Sequence, residues 1–210
     1  PGQPGAPPVP GQPASLPGQQ LTREAAIKAS PRVRIDTPRL SGSISLKGAQ
    51  IDDLALTQFH ETVDKSSPPI VLLEPGGSPH PFYAEFGLVW DAGSTVKVPD
   101  SNAVWTQQGS GALTAGRPVT LTYDNGEGLT FRRVISVDEK YLFTVEDKIE
   151  NKSAAAVALY PFGLIRRYGT PETAGYYILH EGLIGILGDN GLQEFTYKQI
   201  EDKKNVSFKA

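Results

Sequence analysis

His60-Glu61 and His180-Glu181 each set an imidazole beside a carboxylate, the pairing used by general acid–base catalysis and by metal sites. In a strand, however, adjacent side chains point to opposite faces. Neither pair has a second ligand at the helical i+4 spacing of a metalloprotease, and His80 stands alone. The three histidines read as surface or loop residues. Asp52-Asp53 and Glu146-Asp147 are paired acids, but a two-carboxylate glycosidase needs its acids to converge across a cleft. The expectation for both pairs is solvated strand edges and turns. Gly185, Gly188 and Gly191 flank a short apolar run without the Gly-Lys-Ser/Thr of a phosphate loop, so Gly188-Asp-Asn-Gly191 reads as a hairpin turn. Arg132-Arg133 and Arg166-Arg167 are able to gather anions, although only one member of each pair can face a given side of a strand. Trp90 and Trp105, with Phe82, Tyr83 and Phe86, are core material.

The elements that would position these residues are strands. Val119, Leu121 and Tyr123 alternate with threonines, the period of a strand with one buried face. Asp124 to Gly128 supplies the glycines of a tight reversal. Leu129, Phe131, Ile135 and Val137 alternate on the return, and Tyr141, Phe143, Val145 and Ile149 form a third row ending near Asn151. The pattern predicts an antiparallel meander with Tyr123, Phe131, Ile135, Phe143 and Val145 buried. Further strands are expected at Val33-Ile35, Leu40-Leu46, Ile51-Leu56, Ile70-Leu73, Phe82-Phe86, Gly87-Trp90 and Ala103-Gln107, and Leu183-Ile-Gly-Ile-Leu187 is a short apolar segment bounded by glycines. Phe195 to Asp202 alternates weakly.

The composition is that of an ordinary globular chain, with 39% hydrophobic and 20% charged residues. A net charge of −3 and the lack of a basic stripe argue against nucleic acid and against simple attraction to anionic lipid. There is no cysteine, hence no disulfide, thiol nucleophile or thiolate metal site. Methionine is also absent, which reads as a fragment or a processed chain. No stretch approaches the ~18 apolar residues of a spanning helix.

Residues 1–20 hold seven prolines, four glycines, four glutamines and no charge, and read as a linker. Fully extended at ~3.1 Å per residue, it would reach about 60 Å. Residues 21–30 form a short helical or irregular lead-in stopped by Ser30-Pro31. Residues 31–210 follow as one all-β domain.

The wording of the meander resembles the periplasmic domain of the YidC/Oxa/Alb family of membrane protein insertases. The residues concerned are Thr122-Tyr123, Asn125-Gly126 and Phe131-Arg132-Arg133, followed by Asp138, Tyr141, Phe143, Val145 and Asn151. Arg39 to Leu54 is similar to the opening of that domain, Ile70-Val-Leu-Leu-Glu-Pro75 to a later segment, and Phe195-Thr-Tyr-Lys-Gln-Ile-Glu-Asp202 to its last stretch. The resemblance covers roughly residues 31–209. It implies an antiparallel two-sheet β-supersandwich with at most short helices. It also implies a bacterial inner-membrane protein with this domain in the periplasm, assisting insertion and folding by protein–protein contact. It implies no catalysis and no cofactor or metal. Partners would be the Sec translocon and its accessory proteins, with nascent membrane proteins handled by membrane helices that this piece lacks. Exposed strand edges around Arg133, Arg166 and Lys198 are the expected docking positions. The alternative is a carbohydrate-binding module or enzyme of the mutarotase kind, because the two share the supersandwich fold.

Overall fold

The computed structural model describes residues 21–91, 94–171 and 179–208. The proline-rich segment 1–20 lies outside them. The chain divides into two units, residues 1–168 and 169–210.

In the first unit, helix α1 (Arg23–Lys28) begins where the Thr22 hydroxyl accepts the Ala25 N–H, an ordinary N-cap. Strands β1 (Arg32–Asp36), β2 (Leu40–Ser45) and β3 (Ile51–His60) then run as an antiparallel meander. β4 (Pro69–Leu73) pairs with the outer part of β3. β5 (Phe82–Trp90) joins β3 at Ile51–Ala84 and carries β10 (Leu159–Arg167) on its other side. These six strands are one sheet. The second sheet has four strands in sequence order: β6 (Thr106–Gln108), β7 (Val119–Asp124), β8 (Leu129–Val137) and β9 (Phe143–Asn151). The antiparallel meander expected from the alternation and the two-sheet architecture implied by the resemblance are both present in this unit.

The reversal between β7 and β8 shows why its residue types matter. Asp124 Oδ1 accepts from Gly126 N–H, and Asn125 Oδ1 accepts from both Glu127 and Leu129 N–H, which settles the amides of the turn. Gly126 and Gly128 sit at φ of 72° and 91°, where a side chain is strained. A Cβ on Gly128 would also come within 3.0 Å of the Ser153 amide nitrogen.

One core holds the sheets together. Val33, Ile35, Leu40 and Ile44 face Leu113, Leu121, Leu129, Phe131 and Ile135, all buried, with Trp105 among them. Trp105, Tyr123 and Phe131 stack in a tilted row with ring centroids 5.9 and 6.2 Å apart. Of the five residues expected inside, Phe131 and Ile135 are buried, whereas Tyr123, Phe143 and Val145 are half-buried. For Phe143 and Val145 the reason is position. β9 is the outermost strand of its sheet, so its inward row is covered on one side only. Ala154 to Ala158 is irregular, and β10 begins only at Leu159.

The second unit, as described, contains the hairpin β11 (Gly182–Ile186) and β12 (Leu192–Thr196), reversed by a short 3-10 turn at Gly188–Asn190. The chain then turns directly into α2 (Tyr197–Lys203). The weak alternation from Phe195 does not continue as a strand because Thr196 and Gln199 form a capping box: each side chain bonds the other's backbone N–H. The Phe195 and Phe208 rings lie 6.3 Å apart, with the Lys203 ammonium 5.1 Å from the Phe195 ring.

Candidate interaction surface

The two arginine pairs divide as strand geometry requires. Arg132 faces solvent on β8, in a flat polar patch with Thr120, Thr122, Asp124 and Thr130. Arg133 points inward and is only 2% exposed. Its Nε and Nη2 donate to the two Asp147 carboxylate oxygens at 2.8 Å each, and its Nη1 donates to the Phe86 carbonyl at 2.8 Å. The guanidinium also lies 5.1 Å from the Trp105 ring centroid. Arg133 is therefore not the exposed docking cation expected from sequence. It is an interior strut joining β8, β9 and β5, and Arg132 is the solvent-side cation of that strand.

Arg166 and Arg167 likewise take opposite faces of β10. The Arg167 guanidinium covers the Phe82 ring at 4.7 Å. Arg166 is half-buried and donates to the Tyr168 hydroxyl at 3.4 Å. That hydrogen bond pushes Arg166 above its ordinary range, so the guanidinium is a permanent charge. Beside it, burial and then the Tyr168 hydroxyl push the Tyr83 phenol up to about 12. Gln50 Nε2 donates to Glu85 Oε2 at 3.1 Å in the same region. These groups border a cleft of about 380 Å³ lined by Tyr83, Glu85, Trp90, Asn102, Trp105 and Arg166 among others. It offers the Arg166 cation, the Tyr83 phenol, the Glu85 and Asp100 carboxyl groups and aromatic walls. Lys198 is exposed in the first turn of α2.

The histidines are scattered. His60 Nδ1 bonds the Ser67 carbonyl oxygen at 2.7 Å, His80 is exposed, and the half-buried His180 keeps its Nε2 without a hydrogen-bond partner. Among the described residues, no three His, Asp or Glu side chains gather as metal ligands.

The acids Asp52 and Asp53 depart furthest from expectation. Rather than lying on a solvated edge, they are 4% and 6% exposed. Asp52 pairs with Arg32, and Asp53 with Arg23 of α1. The Ser43 hydroxyl donates to Asp53 Oδ2 at 2.6 Å and accepts from Arg32 Nε at 2.6 Å, linking the two pairs. A register shift between Ser43 and Ile44 accompanies the burial of both neighbouring acids. Burial pushes the Asp52 carboxyl up, against the pull of Arg32. No spacing in the sequence announces this network, since its partners lie 20 and 30 residues apart.

The family model of the YidC periplasmic domain matches residues 32–210. The chain belongs to that family. Among curated proteins it is 64% identical over 190 residues to the membrane protein insertase YidC of Nitrobacter hamburgensis, covering 90% of this chain and 31% of that protein. The insertase YidC of Bradyrhizobium diazoefficiens is 60% identical over 197 residues, covering 92% and 32%. That of Brucella melitensis is 49% identical over 212 residues, covering 97% and 35%. The chain thus spans about a third of the length of these relatives. Among the described residues no helix is long and apolar enough to cross a membrane.

Proposed function

We propose that this chain is the extramembrane, periplasmic portion of an inner-membrane protein insertase, and that it assists insertion by contact rather than by chemistry. The family match over residues 32–210 carries this reading. The partners proposed are the Sec translocon and its accessory membrane proteins. Nascent membrane proteins would be handled by membrane helices elsewhere in the whole protein. Such a contact is expected to be weak, because two partners in one membrane meet at high effective concentration and need little intrinsic affinity. The docking positions proposed are the solvent-side residue Arg132, the cleft margin at Arg166, and Lys198 on α2. Arg133 supports the surface from beneath.

Site-directed photocrosslinking in cells, with benzoylphenylalanine at these three positions in the full-length protein, is the test. Capture of a translocon component from at least one position is expected. If no position captures one, and deletion of residues 31–209 leaves membrane-protein assembly intact, the docking role is wrong.

A further inference from the structure

The chain holds two Asn-Gly pairs, Asn125–Gly126 in the β7–β8 reversal and Asn190–Gly191 between β11 and β12. Such a pair is chemically unstable. The glycine nitrogen attacks the asparagine side-chain carbon, and no Cβ on the glycine hinders the approach or restricts its backbone. In the first pair, the group at risk is also one that fastens a neighbouring segment.

Asn125 Nδ2 donates to the Lys97 carbonyl at 2.9 Å, and Lys97 Nζ pairs with Glu127 of the same turn. These contacts hold one end of segment 94–102, which has no helix or strand of its own. The other end is held by the β2–β3 reversal. There Gly48 N–H donates to Ala103 O at 2.8 Å, and a Cβ on Gly48 would come within 2.8 Å of Ser101 O. Between the two fastenings, Val98, Pro99, Asp100, Ser101 and Asn102 form one wall of the cleft beside Arg166.

The closed turn keeps the reacting groups apart. Gly126 N–H donates to Asp124 Oδ1 at 2.8 Å, and an N–H held by a carboxylate resists losing its proton. Asn125 Oδ1 accepts from Glu127 and Leu129 N–H at 2.8 and 3.0 Å. With Nδ2 on the Lys97 carbonyl, both ends of the carboxamide are pinned. Turning its carbon onto the Gly126 nitrogen breaks these bonds, so the reaction waits on local opening of the turn.

We propose that Asn125 is a deamidation site, guarded while the turn is closed, whose conversion unfastens the cleft wall from the β7–β8 reversal. In the reaction the Gly126 nitrogen gives its proton to solvent and bonds to Asn125 Cγ. The Cγ–Nδ2 bond breaks and Nδ2 leaves as ammonia. Water then opens the five-membered imide at either carbonyl, leaving aspartate or isoaspartate, with no change of oxidation state. Either product puts a carboxylate where the donor to Lys97 stood. Two acceptors then face each other and the Lys97 carbonyl loses its bond. This inference does not depend on which partner the domain docks to.

The test uses the full-length protein in detergent, folded or unfolded in urea at mildly alkaline pH, with deamidation read by mass spectrometry of the digested chain. In urea Asn125 should convert as readily as Asn190, which carries the same glycine neighbour. In the folded protein Asn125 should convert about ten-fold more slowly than in urea, or slower still. Equal rates in the two states, or no conversion at Asn125 in urea, would overturn the proposal, and neither measurement needs a substitution. The consequence is read at the Lys97–Val98 peptide bond, whose carbonyl Asn125 holds. Brief trypsin treatment of Asn125→Asp should cut there about ten-fold faster than in wild type, relative to the cut after the exposed Lys140, because cleavage follows the population of the open segment. An unchanged ratio would mean that Asn125 does not fasten the wall. A cut after the buried Arg133 would mark a variant that has unfolded as a whole. Asn125→Ser then takes its place, since its hydroxyl still accepts within the turn but is too short to reach Lys97.

Discussion

Removing the Asp147 carboxylate should cost more stability than removing the arginine it holds. Arg133 is 2% exposed and its guanidinium makes two bonds to Asp147 at 2.8 Å. Asp147→Ala leaves that charge in the interior with only the Phe86 carbonyl and the Trp105 face. Breaking a buried pair from one side costs about 3–5 kcal/mol. The Asp147 side chain keeps 22% of its exposure, so water can partly replace it, which places the expected loss near the lower end, about 3–4 kcal/mol. Arg133→Met behaves differently. The methionine stem retains most of the arginine's apolar packing, and the stranded Asp147 can turn to water. The main loss is then the bond to the Phe86 carbonyl, about 1–3 kcal/mol. Urea titration followed by tryptophan fluorescence reads the relevant unit, since Trp90 and Trp105 both lie in it. With a urea slope of about 2 kcal/mol/M, the Asp147→Ala midpoint should fall by roughly 1.5–2 M. A loss under about 1 kcal/mol, the range of exposed pairs, would mean that the guanidinium is hydrated, and the argument for an interior strut would collapse.

Phe143→Ala should cost about half the 3–5 kcal/mol of a fully buried ring, because Phe143 is half-buried on the outermost strand of its sheet; an unchanged urea midpoint would contradict its packing against the core. Gly42→Ala should destabilise by at least about 1–3 kcal/mol, since its Cβ would meet the Asp53 carbonyl oxygen; a wild-type melting temperature would show that β2 and β3 are not that close. Asp52 is raised from its ordinary 3.8 mainly by burial. The folded state then holds this proton more tightly than the unfolded one, so its stability contribution is full below 3.8 and lost as pH rises through the raised value. Urea midpoints of wild type and Asp52→Asn, compared across the acid range, should show wild type losing ground to the variant as pH rises; the opposite slope would mean that Arg32 outweighs burial.

Legibility in the sequence followed the range of the forces concerned. The β7–β8–β9 meander was readable because alternation and turn chemistry are local, and Asn125, Gly126 and Gly128 sit where the reversal needs them. The depth of Phe143 and Val145 was not, because alternation shows which face a residue takes but not whether its strand lies at a rim. Thr196 and Gln199 did carry a local signal, the capping-box spacing, which marks α2 in place of a continued strand. The ion pairs of Asp52, Asp53 and Arg133 were out of reach. Charged residues in a strand pattern read as solvated, and their partners become neighbours only when the sheets assemble. The cleft beside Arg166 was hidden for the same reason, since Tyr83 and Tyr168 lie 85 residues apart in the chain and meet only through the β5–β10 pairing.

The pairing of Arg23 with Asp53 has a mechanical consequence. Together with the bond from Leu21 N–H to Gly77 O, it welds α1 onto the body of the first unit. Residues 21–31, which would span about 35 Å if extended, are thereby held against that unit. Tension arriving from the amino-terminal side enters at Leu21 and passes sideways into β3, instead of peeling β1 from the sheet end-on. The attachment thus rests on Arg23 and the Leu21 amide together, and Arg23→Ala would remove the first while leaving the second.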